Sequence, residues 1–90
     1  MDIEFDTAKD AANIAKHGVS LSFGASVFDD ADHLAISTLR EIDGEHRWKA
    51  IGIVDGKLWT AIYVRRGAAF RFISVRRSNG NEERAYRNPG

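Results

Sequence analysis

The chain has no cysteine among its 90 residues. Disulfides, thiolate metal sites and a cysteine nucleophile are therefore excluded. No apolar stretch approaches the roughly 20 residues that a bilayer-spanning helix needs. The opening segment, MDIEFDTAKD, is acidic and carries no apolar run. No signal peptide is expected there, and a cytoplasmic protein is. Neither GxxxxGK[ST] nor GxGxxG occurs, so nothing points to a nucleotide cradle. Ser74 has no Gly-x-Ser-x-Gly elbow around it, which argues against a serine hydrolase. His17, His33 and His46 stand apart, without HxH or HExxH spacing, and Asp29-Asp30-Asp32 reads as a solvated helix end. Neither a metal nor a cofactor is expected. There is no internal repeat, linker or low-complexity tract, so residues 1–90 read as one domain.

Net charge is also missing, but only in the sum. Between Arg65 and Arg87 lie seven arginines against Glu82 and Glu83, about +5. The first 64 residues hold six Lys/Arg and eleven Asp/Glu, about −5. The basic part suits a polyanion and the acidic part suits something basic.

The pattern of elements is β-α-α-β-β-β-β-α. Asp2–Phe5 reads as a short edge strand. Asp6 or Thr7 caps a helix over Ala8–His17, with Ala11, Ala12, Ile14 and Ala15 as its apolar face and Gly18 as a left-handed end. Ser20 caps a second, short helix over Leu21–Phe28, weakened by Gly24 at about 1 kcal/mol relative to Ala. The short link between the two predicts a tight helical hairpin. Strands are expected at His33–Leu39, Arg47–Val54, Lys57–Arg66 and Ala69–Arg77. Their turns fall at Asp43-Gly44, Asp55-Gly56 and Gly67. A polar break at Ser78–Asn81, a terminal helix and a frayed end at Asn88–Gly90 follow. This is an α+β domain on a mostly antiparallel sheet of four to five strands.

Period two would put Arg71, Ile73 and Arg77 on one side of the last strand, and Phe70, Phe72, Ser74 and Arg76 on the other. Arginine forks match phosphate, and Tyr63, Phe70, Phe72 and Tyr86 could supply base-stacking surfaces. The plainer alternative is that these charges protect strand ends and solubility. His17 is a candidate acid/base or phosphate contact, or simply a helix-end residue that satisfies carbonyls. Glu82 and Tyr86, at i and i+4, are proton-transfer candidates, or an ordinary pair and a packed ring. Trp48 and Trp59 default to the core, with partner contact as the second reading.

Asp6, Lys9, Asn13 and Lys16-His17-Gly18-Val19 form a D-x-x-K-x-x-x-N-x-x-K-H-G-V block. Phe23, Ala25, Phe28 and Asp29-Asp30 follow it. Glu45, Arg47 and Gly52 lie in the middle, and Tyr63, Arg66-Gly67, Arg71, Ile73-Ser74, Arg76, Glu82, Arg84 and Tyr86 at the end. Over about residues 3 to 87 this resembles the BrnT toxins (DUF497), ribonucleases of type II toxin–antitoxin pairs. Two departures from the family's habit stand out. The break Ser78-Asn79-Gly80-Asn81 lacks the usual basic residues, with Glu83 where a basic residue is common, and Gly24 stands where Glu is common.

The resemblance implies a RelE-like fold, with a two-helix hairpin on an antiparallel sheet and a C-terminal helix. It implies metal-independent RNA cleavage that arrests translation. It also implies a BrnA-type ribbon-helix-helix antitoxin, a heterotetrameric complex, and operator DNA contacted through the antitoxin. The catalytic candidates are then His17, Arg66, Arg71, Arg76, Glu82 and Tyr86. Lys16, Arg47, Arg65, Arg77 and Arg84 are candidates for RNA contact. The competing expectation is a non-catalytic, toxin-like module that acts through antitoxin binding and autoregulation.

Overall fold

The computed structural model describes residues 1–42 and 45–88, and the expected Asp43-Gly44 turn lies outside them. Asp6 opens the first helix, α1 (Thr7–His17). Its carboxylate accepts from the Ala8 and Lys9 N–H groups at 2.8 and 3.2 Å, two of the donors a helix start leaves unpaired. Gly18 ends the helix at φ +79°, its N–H donating to the Ile14 carbonyl.

The expected apolar face of α1 is not what anchors it. Ala11, Ala12, Ile14 and Ala15 are exposed, Ile14 by 48%, and the buried residue is Asn13. Its carboxamide donates to the Val19 and Val75 carbonyls, both at 2.9 Å, and accepts from the Val75 N–H at 3.1 Å. Asp10 adds a second tie, accepting from the Ser20 hydroxyl and the Leu21 N–H at 2.8 and 2.7 Å.

The second helix of the expected hairpin is a 3-10 turn, Leu21–Phe23, running into a single helical turn, α2 (Gly24–Val27). Gly24 is a close-approach residue. A Cβ there would sit 2.9 Å from the Phe72 ring and 3.1 Å from Val75. Gly52 is its counterpart on the sheet, where a Cβ would lie 2.6 Å from the Val27 carbonyl oxygen.

Among the described residues five strands form one sheet in the order β1-β5-β4-β3-β2: β1 (Asp2–Glu4), β2 (Leu34–Ile42), β3 (Glu45–Val54), β4 (Lys57–Arg66) and β5 (Ala69–Arg77). All pairs are antiparallel except β1 with β5. The Asp55-Gly56 hairpin has φ of +51° and +78°, as a two-residue turn with two positive φ values requires. β4 and β5 run as expected, and β1 is the edge strand. β2 and β3 extend beyond their expected ends.

One face of the sheet carries the core. Leu21 and Val27 pack on Ala50, Ala61, Tyr63, Phe72 and Val75. Phe28 meets Tyr63 at 5.5 Å and Phe70 at 5.3 Å, and Trp59 meets Phe23 at 4.9 Å, all edge-on. Trp48 and Trp59 pack against this core. The third helix, α3 (Gly80–Arg87), packs near β3. The polar break before it serves to start it. Asn79 caps α3, accepting from the Glu82 N–H, while the Glu82 carboxylate accepts from the Asn79 N–H.

Candidate functional site

The site lies on the sheet face away from the aromatic core. In β4 this face shows Thr60, Ile62, Val64 and Arg66. Across the ladder, β3 aligns Lys49 with Ile62 and Ile51 with Thr60. β5 aligns Arg71 with Val64, Ser74 with Ile62 and Arg76 with Thr60. Strict alternation in β5 would have separated Arg71 from Arg76. The register shifts at Ile62/Tyr63, so that Ile73 is an extra residue, a bulge. Ser74 and Arg76 therefore join the Arg71 side, while Val75 and Arg77 return to the core side with Phe72.

The arginines divide accordingly. Arg66, Arg71 and Arg76 share the site face with Arg47. Arg65 and Arg77 do not: the Arg65 guanidinium lies 4.2 Å over the Phe70 ring. Arg77 lies 5.7 Å from Trp59 and donates to the Leu58 carbonyl at 3.3 Å. Arg84 is exposed on α3 and bonds to Asn81. The expected stacking platform is also displaced. Tyr63, Phe70 and Phe72 pack against one another on the core face, and the Tyr86 hydroxyl donates to Asp30 at 2.5 Å.

Glu82 is the centre of the face. It is 1% exposed and takes a two-pronged bond from Arg76, at 2.7 and 2.8 Å. Lys49 donates to it at 3.2 Å and Thr60 at 3.0 Å, beside the Asn79 N–H at 2.9 Å. Burial alone would push this carboxyl's pKa up. The Arg76, Asn79 and Lys49 donors outweigh burial and hold it at about 2. Glu82 is thus a fixed anion whose lone pairs are occupied. Its neighbours are two cations, Arg76 and Lys49, sharing one negative charge. Tyr86 is held differently: its bond to Asp30, then burial, push the phenol up to about 12.

Two recesses continue this face towards α1. One, of about 140 Å³, is lined by Lys9, Glu45, Arg47, Arg66 and Arg71 above Val64 and Ile73. The other, of about 270 Å³, brings Lys16 and His17 to Ser74. Lys9 and Ile73 line both, so the two adjoin. Arg66 is paired with Glu45 through bonds of 2.8 and 3.2 Å. Arg71 meets Glu4 at 3.4 Å. The Arg47 Nε is buried with no hydrogen-bond partner among the described residues.

The structure thus brings Arg47, Arg66, Arg71, Arg76 and Glu82 to one sheet face, with His17 and Lys16 at a recess beside it. Tyr86 is not brought there: it lines a separate recess with Asp30. Lys9, Lys49, Thr60 and Ser74 belong to the site face and its recesses too and were not singled out for them from the sequence. Period-two alternation in β3 and β4 carries the signal for Lys49 and Thr60. Lys9 lies two helical turns before Lys16, which puts both on one side of α1.

Residues 5–82, most of the chain, match the family model described as "Ribonuclease toxin, BrnT, of type II toxin-antitoxin system". Comparison with curated proteins gives no match.

Proposed function

We propose, because the chain belongs to the BrnT family of type II toxin–antitoxin ribonuclease toxins, that RNA is bound and cut on the Arg66–Arg71–Arg76 face of the sheet. The observation that carries this is the buried Arg76–Glu82–Lys49 cluster, which shares its sheet face with Arg47, Arg66 and Arg71. On this reading the fold is RelE-like, with the Leu21–Val27 turns standing for the second helix of the hairpin.

Cleavage proceeds without a metal. The 2′-hydroxyl of one nucleotide attacks the adjacent phosphorus. A 2′,3′-cyclic phosphate forms, and the bond to the 5′-oxygen of the next nucleotide breaks. One proton leaves the 2′-oxygen and another reaches the departing 5′-oxygen. Arg76 and Lys49 meet the charge that builds on the phosphoryl oxygens. Glu82 holds both in place before the reaction, so little reorganisation is needed. With Glu82 saturated and Tyr86 engaged by Asp30, His17 is the group that moves a proton, from the recess it shares with Ser74. Translation arrest follows from loss of RNA. A BrnA-type ribbon-helix-helix antitoxin neutralises the protein in a two-plus-two complex, through which operator DNA is contacted, and the setting is cytoplasmic.

A second reading has its own support. Arg66 and Arg71 already face Glu45 and Glu4, which lowers the field an RNA would meet and suits a module that only binds its antitoxin. Expression without antitoxin, and incubation of the purified protein with RNA in EDTA, separate the two. The enzyme reading expects growth arrest and cleavage that chelation leaves intact. Arg76→Ala should lose about 10²–10³ in cleavage rate and abolish arrest while still capturing antitoxin. Full toxicity of Arg76→Ala would overturn the assignment, and a folded wild type that leaves RNA and cells intact would favour the module.

A further inference from the structure

The recess of about 140 Å³ between α1 and the sheet differs from the Arg76 centre in one respect. Two of its cations have no carboxylate partner among the described residues. Glu45 accepts both of its bonds from Arg66, and Arg71 has only a long contact with Glu4. Among the described residues, neither Lys9 nor Arg47 has a carboxylate within salt-bridge distance. Four cations against two carboxylates leave a net of two positive charges. Among the described residues the buried Arg47 Nε–H has nothing to donate to, a state that costs free energy unless a ligand accepts the bond. Val64 and Ile73 close the floor, which keeps the donors partly out of water and strengthens what they bind.

We infer that Lys9, Arg47 and Arg71 form a binding site for one backbone phosphate of the RNA, flanking the phosphate that is cut. A phosphodiester offers unprotonated oxygens to the Arg47 and Arg71 forks and to the Lys9 ammonium. Arg71 and Arg76 are five residues apart on β5, roughly 15 Å at strand rise, so this phosphate belongs to a different nucleotide from the scissile one. The site rests on the reading of this face as the RNA groove. It predicts that the protein grips the chain through phosphate beside the cut, with no aromatic stack in the recess.

The test uses the whole protein as wild type, Lys9→Ala and Arg47→Gln, with Lys57→Ala, remote at the start of β4, as control. The ligand is a non-cleavable 2′-O-methyl oligonucleotide in which a neutral methylphosphonate replaces each linkage in turn. Lys9→Ala and Arg47→Gln should each weaken binding about tenfold and raise KM for the cleavable RNA by a similar factor, with kcat little changed. One methylphosphonate position should cost the wild type at least as much, and cost the two variants less than it costs the wild type. Because Lys9 is exposed on α1, its variant should fold even if Arg47→Gln does not. Unchanged affinity and KM in Lys9→Ala, with a wild type that cleaves RNA, would overturn the site and leave the nuclease reading standing. If the wild type cleaves no RNA, the nuclease reading fails, and the methylphosphonate scan still decides the site. Inorganic phosphate that competes as well as the oligonucleotide would assign the recess to free or terminal phosphate and overturn the backbone assignment.

Discussion

At the edge of β5, beyond the three residues that β1 covers, the Val75 backbone finds its partner in one side chain. The Asn13 carboxamide accepts from the Val75 N–H and donates to its carbonyl, as a neighbouring strand would. The same amide nitrogen holds the Val19 carbonyl. Asn13 therefore closes a sheet edge, docks α1 and fixes the loop into α2, all in a buried position where unpaired groups are costly. Asn13→Ala should cost on the order of 2–4 kcal/mol, since it strands one donor and two acceptors. Asn13→Asp should cost at least as much, because it keeps the acceptor but turns a carboxylate towards two carbonyls. Urea unfolding followed by circular dichroism measures both, and a loss under about 0.5 kcal/mol in Asn13→Ala would sink the account.

At the scale of elements, the strands and turns were legible because their signals are local. Asp55-Gly56 and Gly67 demand positive φ, Asp6 and Gly18 carry cap chemistry, and β4 and β5 fall where their apolar and β-branched residues end. The bulge at Ile73 was not legible, because an extra residue in a strand leaves no mark in composition. It was enough to assign Ser74 and Arg76 to the wrong face and to scatter the site. The short α2 was obscured in a similar way. Its Leu21, Ala25 and Phe28 spacing is helical, but Gly24 answers to the sheet below. In isolation Gly24→Ala would favour a helix by about 1 kcal/mol. Here the added methyl meets Phe72 and Val75 at 2.9–3.1 Å, so a net loss of about 1–3 kcal/mol is expected. Adding Phe72→Leu, which removes the nearest ring atoms, should recover part of it. A stabilised Gly24→Ala in equilibrium unfolding would show that the approach is looser than drawn.

Across the whole molecule, the zero formal charge conceals carboxylates that pin its parts together. Asp6 starts α1, and its carboxyl is lowered by the Lys9 and Ala8 N–H groups. Asp30 joins the end of β3 to α3, lowered by bonds from Tyr86, Ile53 and Asp32. Glu82 ties α3 to β3, β4 and β5 and titrates at about 2. Each of these groups binds a proton more weakly when folded than when unfolded. Their stabilisation is therefore present above the ordinary carboxylate range and is lost as pH falls through the folded values. For Glu82, the drop from 4.5 to about 2 corresponds to on the order of 3 kcal/mol. Stability should be nearly flat from pH 7 to about 5 and then fall steeply towards pH 2. Glu82→Gln should start lower at pH 7, because Arg76 and Lys49 lose their counter-charge, but should decline less as the solution is acidified. Urea midpoints measured at several pH values for both proteins give the comparison. Parallel curves would mean that Glu82 does not carry the acid sensitivity, and that the charge holding Arg76 in place lies elsewhere.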